Sequence, residues 1–154
     1  MSVLDRAKRL PPEIFDLPVE KMREGYYTDA YFNNTRAALL ADGRHPRVVM
    51  QAFQKKHAVL GGMDEAIAIL KLCADEWDTL TVHALHDGDR IEPWETVMTI
   101  EGDYTHFGHL ETVYLGVLAR RTLIATNVAR VLEAAGGKPI IFMPARHDHH
   151  RVQT

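Results

Sequence analysis

A long stretch of helical periodicity followed at once by a short all-apolar run sets the terms for the whole chain. From Gly108 to Ala135, the residues Leu110, Val113, Tyr114, Val117, Leu118, Leu123, Ile124, Val128, Val131 and Leu132 recur at helical spacing. This predicts one long helix or two consecutive ones. Gly136-Gly137 supplies the stop, because glycine enters the left-handed conformation that ends helices without steric cost. Pro139-Ile140-Ile141-Phe142-Met143 then places four apolar residues in a row, the pattern of a strand buried on both faces of a parallel sheet. One parallel strand cannot satisfy its own backbone. With eleven residues after Met143, the expectation is that further chain belongs with this segment.

The preceding residues read as α+β. Residues 1–24, with Pro11-Pro12 and Pro18, form an N-terminal arm, since proline disfavours helix in the residue before it. Residues 25–107 form an α+β domain, and residues 108–154 form the linking helix and its continuation. Thr28 or Asp29 is placed to cap a helix through Ala37-Ala38-Leu39-Leu40, which Gly43 ends. Val48 to Gln54 reads as a strand between Pro46 and Lys55-Lys56. Gly61-Gly62 opens a helix with Asp64 and Glu65 in its first turn and Ile67, Ile69, Leu70 and Ala74 apolar. Thr79–Leu85, the turn Asp87-Gly88-Asp89 and Arg90–Ile100 make an antiparallel β region.

Composition excludes several classes of function. Lys and Arg number 18 against 21 Asp and Glu, for a net charge of -3. A general polyanion binder needs clustered positive charge, so no nucleic-acid partner is expected. No apolar run reaches the length of a membrane span, and the charged start Met1-Ser2-Val3-Leu4-Asp5-Arg6 does not suit a secretion signal. The cytoplasm is the expected compartment. Cys73 is the one cysteine, which rules out an intrachain disulfide and a cysteine-based zinc site.

The densest polar cluster is the tail, Arg146-His147-Asp148-His149-His150-Arg151. Its residue types suit an anion-binding loop or a metal, or simply a solvated loop. Arginine favours bidentate anions, while neighbouring residues on extended chain point apart and seldom converge on one ion. No metal site is expected. Arg120-Arg121 lies within the long apolar segment and requires an anionic ligand or a carboxylate such as Glu111 or Glu133, because an unpaired buried charge is costly. Tyr26, Tyr27, Tyr31 and Phe32 could stack a flat ligand or fill an interface, with core packing the ordinary reading. His83 and His86 read as surface residues, and His106 and His109 as cap or loop residues. Phosphate-cradling glycine loops of the common types and a nucleophile elbow are absent from the sequence.

Three segments carry a family likeness. Gly25-Tyr26-Tyr27-Thr28-Asp29-Ala30-Tyr31-Phe32, then Ile100-Glu101-Gly102 with Phe107-Gly108 and Leu110-Glu111-Thr112, then the Arg/His tail, resemble nicotinate phosphoribosyltransferases. The likeness runs in order from about Gly25 onward. The related quinolinate enzymes share the Asp87-Gly88-Asp89 turn and an Arg-Thr pair, here Arg121-Thr122.

The resemblance implies an open-faced α/β sandwich leading by a long helix into the first strand of an irregular, here truncated, α/β barrel. It implies transfer of phosphoribose from phosphoribosyl pyrophosphate to the nitrogen of nicotinate in NAD salvage. Magnesium and ATP accompany the reaction, with their sites outside this chain, and the assembly is a homodimer with shared active sites. Tyr31 would stack on the pyridine ring, and Arg146 would face a carboxylate or phosphate. Arg121 fits the quinolinate pattern better. His147 stands where the nicotinate pattern has a second basic residue. The chain alone is expected to be inactive. Quinolinate specificity and a non-catalytic dimerising module are the alternatives; a biotinyl-type hairpin would need a lysine that the Asp87–Asp89 turn lacks.

Overall fold

The computed structural model describes residues 8–143 and 147. A 3-10 turn at Pro12–Phe15 precedes helix α1 (Val19–Arg23), helix α2 (Ala30–Ala41), strand β1 (Arg47–Phe53), strand β2 (Ala58–Val59) and helix α3 (Met63–Cys73). Strands β3 (Thr81–Ala84), β4 (Arg90–Ile91) and β5 (Thr96–Asp103) follow, then helix α4 (Tyr104–Phe107) and the long helix α5 (Glu111–Ala135). The α+β class expected from the sequence is the one observed.

The main sheet has the order β1-β5-β3, antiparallel throughout. Alternation along each strand separates two faces. Met50, Ile100 and Val82 form one row directed at the helices, and Ala52, Met98 and Ala84 form the next. Between Ala52 and Phe53 the register slips, so that Val97 joins Met98 in the core although the two are sequential. A bulge of this kind lets one strand turn two neighbours to the same side. On the opposite face Val49 is 66% exposed, beside Glu101 and Thr81 in the same row. The sandwich is open on that side.

Helices α3 and α5 pack on each other and close the core, where Ala66, Ile69, Leu70 and Cys73 meet Phe107, Leu110, Tyr114 and Leu118. The start of α3 has no cap of its own, since Gly62 precedes it with φ +89°. Asp87 of the Asp87–Asp89 turn serves instead, accepting from the amides of Met63 at 2.7 Å and Asp64 at 3.4 Å. A carboxylate at that position also faces the positive end of the helix dipole. The N-terminal residues are stitched to the same corner. Arg9 donates to Asp64 at 3.0 Å and to the carbonyls of Ala84 and Leu85 at 2.8 Å each, and Met22 of α1 is buried in the core.

Helix α5 also completes the small β2–β4 sheet. β2 pairs with β4 along one edge; along the other, the hydroxyl of Thr126 accepts from Val59 N–H at 2.9 Å and that of Thr122 accepts from Gly61 N–H at 3.2 Å. The same hydroxyls donate back to the carbonyls of Val59 and Gly61. Alternate residues of an extended chain are roughly 6.6 Å apart, and residues four apart on a helix roughly 6 Å. Two threonines one turn apart therefore stand in for a neighbouring strand. Gly61 permits the approach, because a β-carbon there would lie 2.8 Å from the carbonyl oxygen of Arg121.

Four expectations need correction. Residues 139–143 form no strand, and Ile141, Phe142 and Met143 are each at least 75% exposed. Strand geometry requires a neighbour to receive its hydrogen bonds, and none of the described residues provides one. The first barrel strand is thus not formed. Second, Arg90–Ile100 is not one strand: β4 leaves to pair with β2, with Pro93 and the left-handed Trp94 (φ +69°) between it and β5. Proline lacks the N–H that a continuing ladder would use. Third, the aromatic cluster does not pack as a core, for Phe32 is buried while Tyr26, Tyr27 and Tyr31 are exposed. Fourth, His109 is not a loop residue but is fully buried. Beyond Thr122, the apolar residues Leu123, Ile124, Val128, Val131 and Leu132 of α5 are exposed.

Candidate functional site

Two of the segments that carry the family likeness, residues 25–32 and 107–112, come together at the junction of α2 and α5. Thr28 donates its hydroxyl to the carbonyl of His109 at 2.5 Å. The amide of Asp29 donates to Thr112 Oγ1 at 3.2 Å, and that hydroxyl donates back to the Asp29 carboxylate at 3.1 Å. These bonds fix the first turn of α2 against the first turn of α5. Gly108 allows the close packing, since a β-carbon there would meet the Tyr104 ring at 2.5 Å. Gly102 serves likewise, with Leu80 lying 2.3 Å from where its β-carbon would be.

Tyr31 stands on this framework. Its ring lies against Phe32 with centroids 4.1 Å apart, and Phe32 is itself anchored in the interior. Tyr31 is more than half exposed. A flat aromatic surface held at both ends of its helix turn and open to solvent is suited to stacking a planar ring. Tyr26 and Tyr27 meet edge-on nearby in sequence.

Arg121 is placed elsewhere. It lies nine residues beyond Thr112 on α5, roughly two and a half turns along and on the opposite side of the helix. Its guanidinium forms an ion pair with Glu65 of α3, rather than with the Glu111 or Glu133 expected from the sequence. Arg120 is exposed. Tyr31 and Arg121 are therefore not parts of one site within a single chain. His147 is exposed in a turn, and Arg146 lies outside the described residues.

A cleft of about 450 Å³ opens on the other side of α2, lined by Arg23, Arg36, His45, Asp75, Glu76, Thr105 and His106 among others. Its arginines are already engaged. Arg36 pairs with Asp75 and donates to the Thr105 carbonyl at 2.8 Å, while Arg23 donates to the Leu72 carbonyl. At its edge Asp103 caps α4. Its Oδ1 accepts from the amide of Thr105 at 2.9 Å and from the Thr105 hydroxyl at 2.8 Å. Its Oδ2 lies 2.7 Å from His45 Nδ1 and 3.7 Å from His106 Nε2. Burial works to raise the pKa of this carboxyl, but the bonds from Thr105 and His45, with the charge of His106, hold it below the usual range.

His109 sits behind the same region, buried, with neither ring nitrogen hydrogen-bonded among the described residues. Burial, aided by the nearby Arg36 charge and opposed by Asp75, lowers its pKa to about 4. It is neutral at pH 7. Sequence reading finds neither the His45–Asp103–His106 group nor the buried state of His109. Asp103 and His106 stand at i and i+3, but nothing local announces His45, which arrives from before β1.

Residues 29–122 match the family described as quinolinate phosphoribosyl transferase, N-terminal domain. The chain is 28% identical to nicotinate phosphoribosyltransferase pncB1 of Mycobacterium tuberculosis over 156 aligned residues, covering 82% of this chain and 35% of that protein. The fold superposes on nicotinate-nucleotide pyrophosphorylase of Pyrococcus furiosus with a TM-score of 0.76 at 30% identity, over 90% of this chain and 36% of the other. Human nicotinic acid phosphoribosyltransferase shares the fold, with a TM-score of 0.62 at 20% identity, over 73% of this chain and 29% of that one. The chain spans about a third of the length of these relatives. Among the described residues no helix is long and apolar enough to cross a membrane.

Proposed function

Because the chain belongs to the quinolinate phosphoribosyl transferase N-terminal domain family, we propose that it serves a phosphoribosyltransferase of NAD biosynthesis, in the cytoplasm, with nicotinate as the pyridine substrate. The pyridine nitrogen attacks the ribose carbon of phosphoribosyl pyrophosphate, and pyrophosphate leaves with the electron pair of the broken C–O bond. The nitrogen already carries a lone pair, so the reaction calls for alignment and charge stabilisation more than for a strong base. The exposed Tyr31 ring, backed by Phe32 and fixed through Asp29 and Thr112, is the observation that carries this reading. Tyr31 stacks on the pyridine, and Arg146 supplies a cation for its carboxylate or for a phosphate. His147, adjacent in sequence, is a weaker contributor to that same anion contact.

In this reading two copies associate, and Tyr31 of one copy meets the ring bound by the other. The remaining machinery belongs to sequence beyond the described residues. Magnesium, which the family implies, takes oxygen ligands almost throughout. The described residues bring together one candidate ligand cluster, His45, Asp103 and His106, which contains two imidazoles and does not fit that ion. ATP likewise finds no phosphate-cradling loop in this sequence.

Quinolinate is the second reading, favoured by the family description and by Arg121-Thr122. A dicarboxylate demands more cationic contacts, whereas Arg121 already serves Glu65. The test uses the natural protein that contains this chain, with each pyridine supplied in turn and product nucleotide measured. Nicotinate is used, Tyr31→Ala raises its KM about tenfold, in line with ~1.4 kcal/mol of lost stacking, and Tyr31→Phe restores it. Quinolinate use abolished by Arg121→Ala would give the second reading instead. Transfer to neither pyridine would leave a non-catalytic dimerising module.

A further inference from the structure

We propose that His45, Asp103 and His106 form a binding site for a borderline divalent transition ion, zinc being the best match. One donor atom from each residue lies within 4.8 Å of the other two. Two imidazoles and a carboxylate are a donor set that zinc accepts with three protein ligands and one open position. Donors held about 2.0–2.1 Å from a tetrahedral ion are roughly 3.3–3.4 Å apart. The distances of 2.7 Å from Asp103 to His45 and 3.7 Å to His106 bracket that spacing. Adjustments well under an ångström bring the carboxylate pairs to it, and His45, whose side chain is 55% exposed, is free to make them.

The carboxylate is prepared for this use. Thr105 occupies Oδ1 through both its amide and its hydroxyl, which fixes the group and leaves Oδ2 directed at the imidazoles. Partners of this kind orient ligands and raise their affinity for the ion. Both histidines line the cleft between α2 and α4, so water or an incoming anion can reach the fourth position. His106 ligates through Nε2, which leaves its buried Nδ1 without a hydrogen-bond partner among the described residues. The site thus lacks one outer contact that strengthens many zinc histidines, and it binds more weakly than closed structural zinc sites. Bound metal ties the segment before β1 to the end of β5 and the start of α4.

The tail histidines are the main competing source of zinc affinity, so the test removes them. In the 154-residue chain carrying His147→Ala, His149→Ala and His150→Ala, calorimetric titration with ZnCl2 gives one ion per chain. Adding His45→Ala or Asp103→Asn to that background weakens binding at least about tenfold, while His57→Ala, on a separate loop, leaves it unchanged. Thermal melts verify that each variant is folded, and His45, being exposed, is the variant least able to disturb the fold. Cobalt(II) in place of zinc gives the visible absorption of a four-coordinate ion, lost with His45→Ala. Excess magnesium does not displace zinc. Loss of zinc binding on removing the tail histidines, or affinity unaltered by His45→Ala, overturns the proposal.

Discussion

Replacing Thr122 with valine tests whether a helix can stand in for a strand. Thr122 is 5% exposed, and its hydroxyl both accepts from and donates to the backbone of Gly61. Valine keeps the shape and removes the oxygen, so Gly61 N–H and C=O lose their partner together. Leaving a buried polar group unmade costs about 1–3 kcal/mol. Gly61 is partly exposed and both contacts are 3.2 Å long, so the lower part of that range applies, about 1–2 kcal/mol. For a chain of this size the melting temperature falls by roughly 2–8 °C. Urea unfolding followed by circular dichroism measures the loss, with an unchanged m-value showing that the denatured state is not what moved. Thr122→Ser keeps the hydroxyl and gives up only a methyl group. A serine variant less stable than the valine variant would refute the reasoning, since packing and not the hydroxyl would then dominate.

Acid should destabilise the protein through His109. Its pKa is about 4 in the folded state against 6.5 ordinarily, so the unfolded chain binds the extra proton first. The stability associated with neutral His109 is full above pH 6.5 and is lost progressively as the pH falls to 4, by about 3 kcal/mol. Urea midpoints measured across that range follow this slope, and His109→Leu flattens it; an equally steep slope in the variant would assign the effect to other groups. Two glycines should respond oppositely to alanine. Gly61→Ala drives a β-carbon into the backbone of α5 and costs about 1–3 kcal/mol. Gly116→Ala meets nothing within 4 Å in the second turn of α5 and stabilises by about 0.5–1 kcal/mol, both read from the same unfolding curves.

What the sequence discloses is what local pattern controls. The limits of α3 and α5, the strand character of residues 47–53 and the turn at Asp87–Asp89 follow from periodicity, glycine stops and acidic first turns. The run Ile140–Met143 misleads because four apolar residues encode a demand for burial without naming the partner, and the described residues contain none. Arg121 illustrates the same limit: its expected burial is not found, for the side chain is 54% exposed, and its pairing with Glu65 depends on how α3 crosses α5. The sequence groups Tyr31 with Phe32, but only packing decides that Phe32 turns inward and Tyr31 outward. His45, Asp103 and His106 are brought together by the β1–β5 register, which pairs Arg47 with Asp103, and no spacing along the chain reveals that.

The strand order has a consequence for how the protein is made. β5 lies between β1 and β3 in the sheet yet is the last of the three to be synthesised. Until Asp103 has left the ribosome, both outer strands lack the neighbour that pairs with them. At translation rates of about 5–20 residues per second, the chain from Phe53 to Thr96 takes on the order of several seconds to appear. During that interval Val48, Met50 and Ala52 are an unpaired apolar edge open to other chains. The nascent sheet thus passes through a period of vulnerability set by the order of its strands, and the arrival of one eight-residue segment ends it.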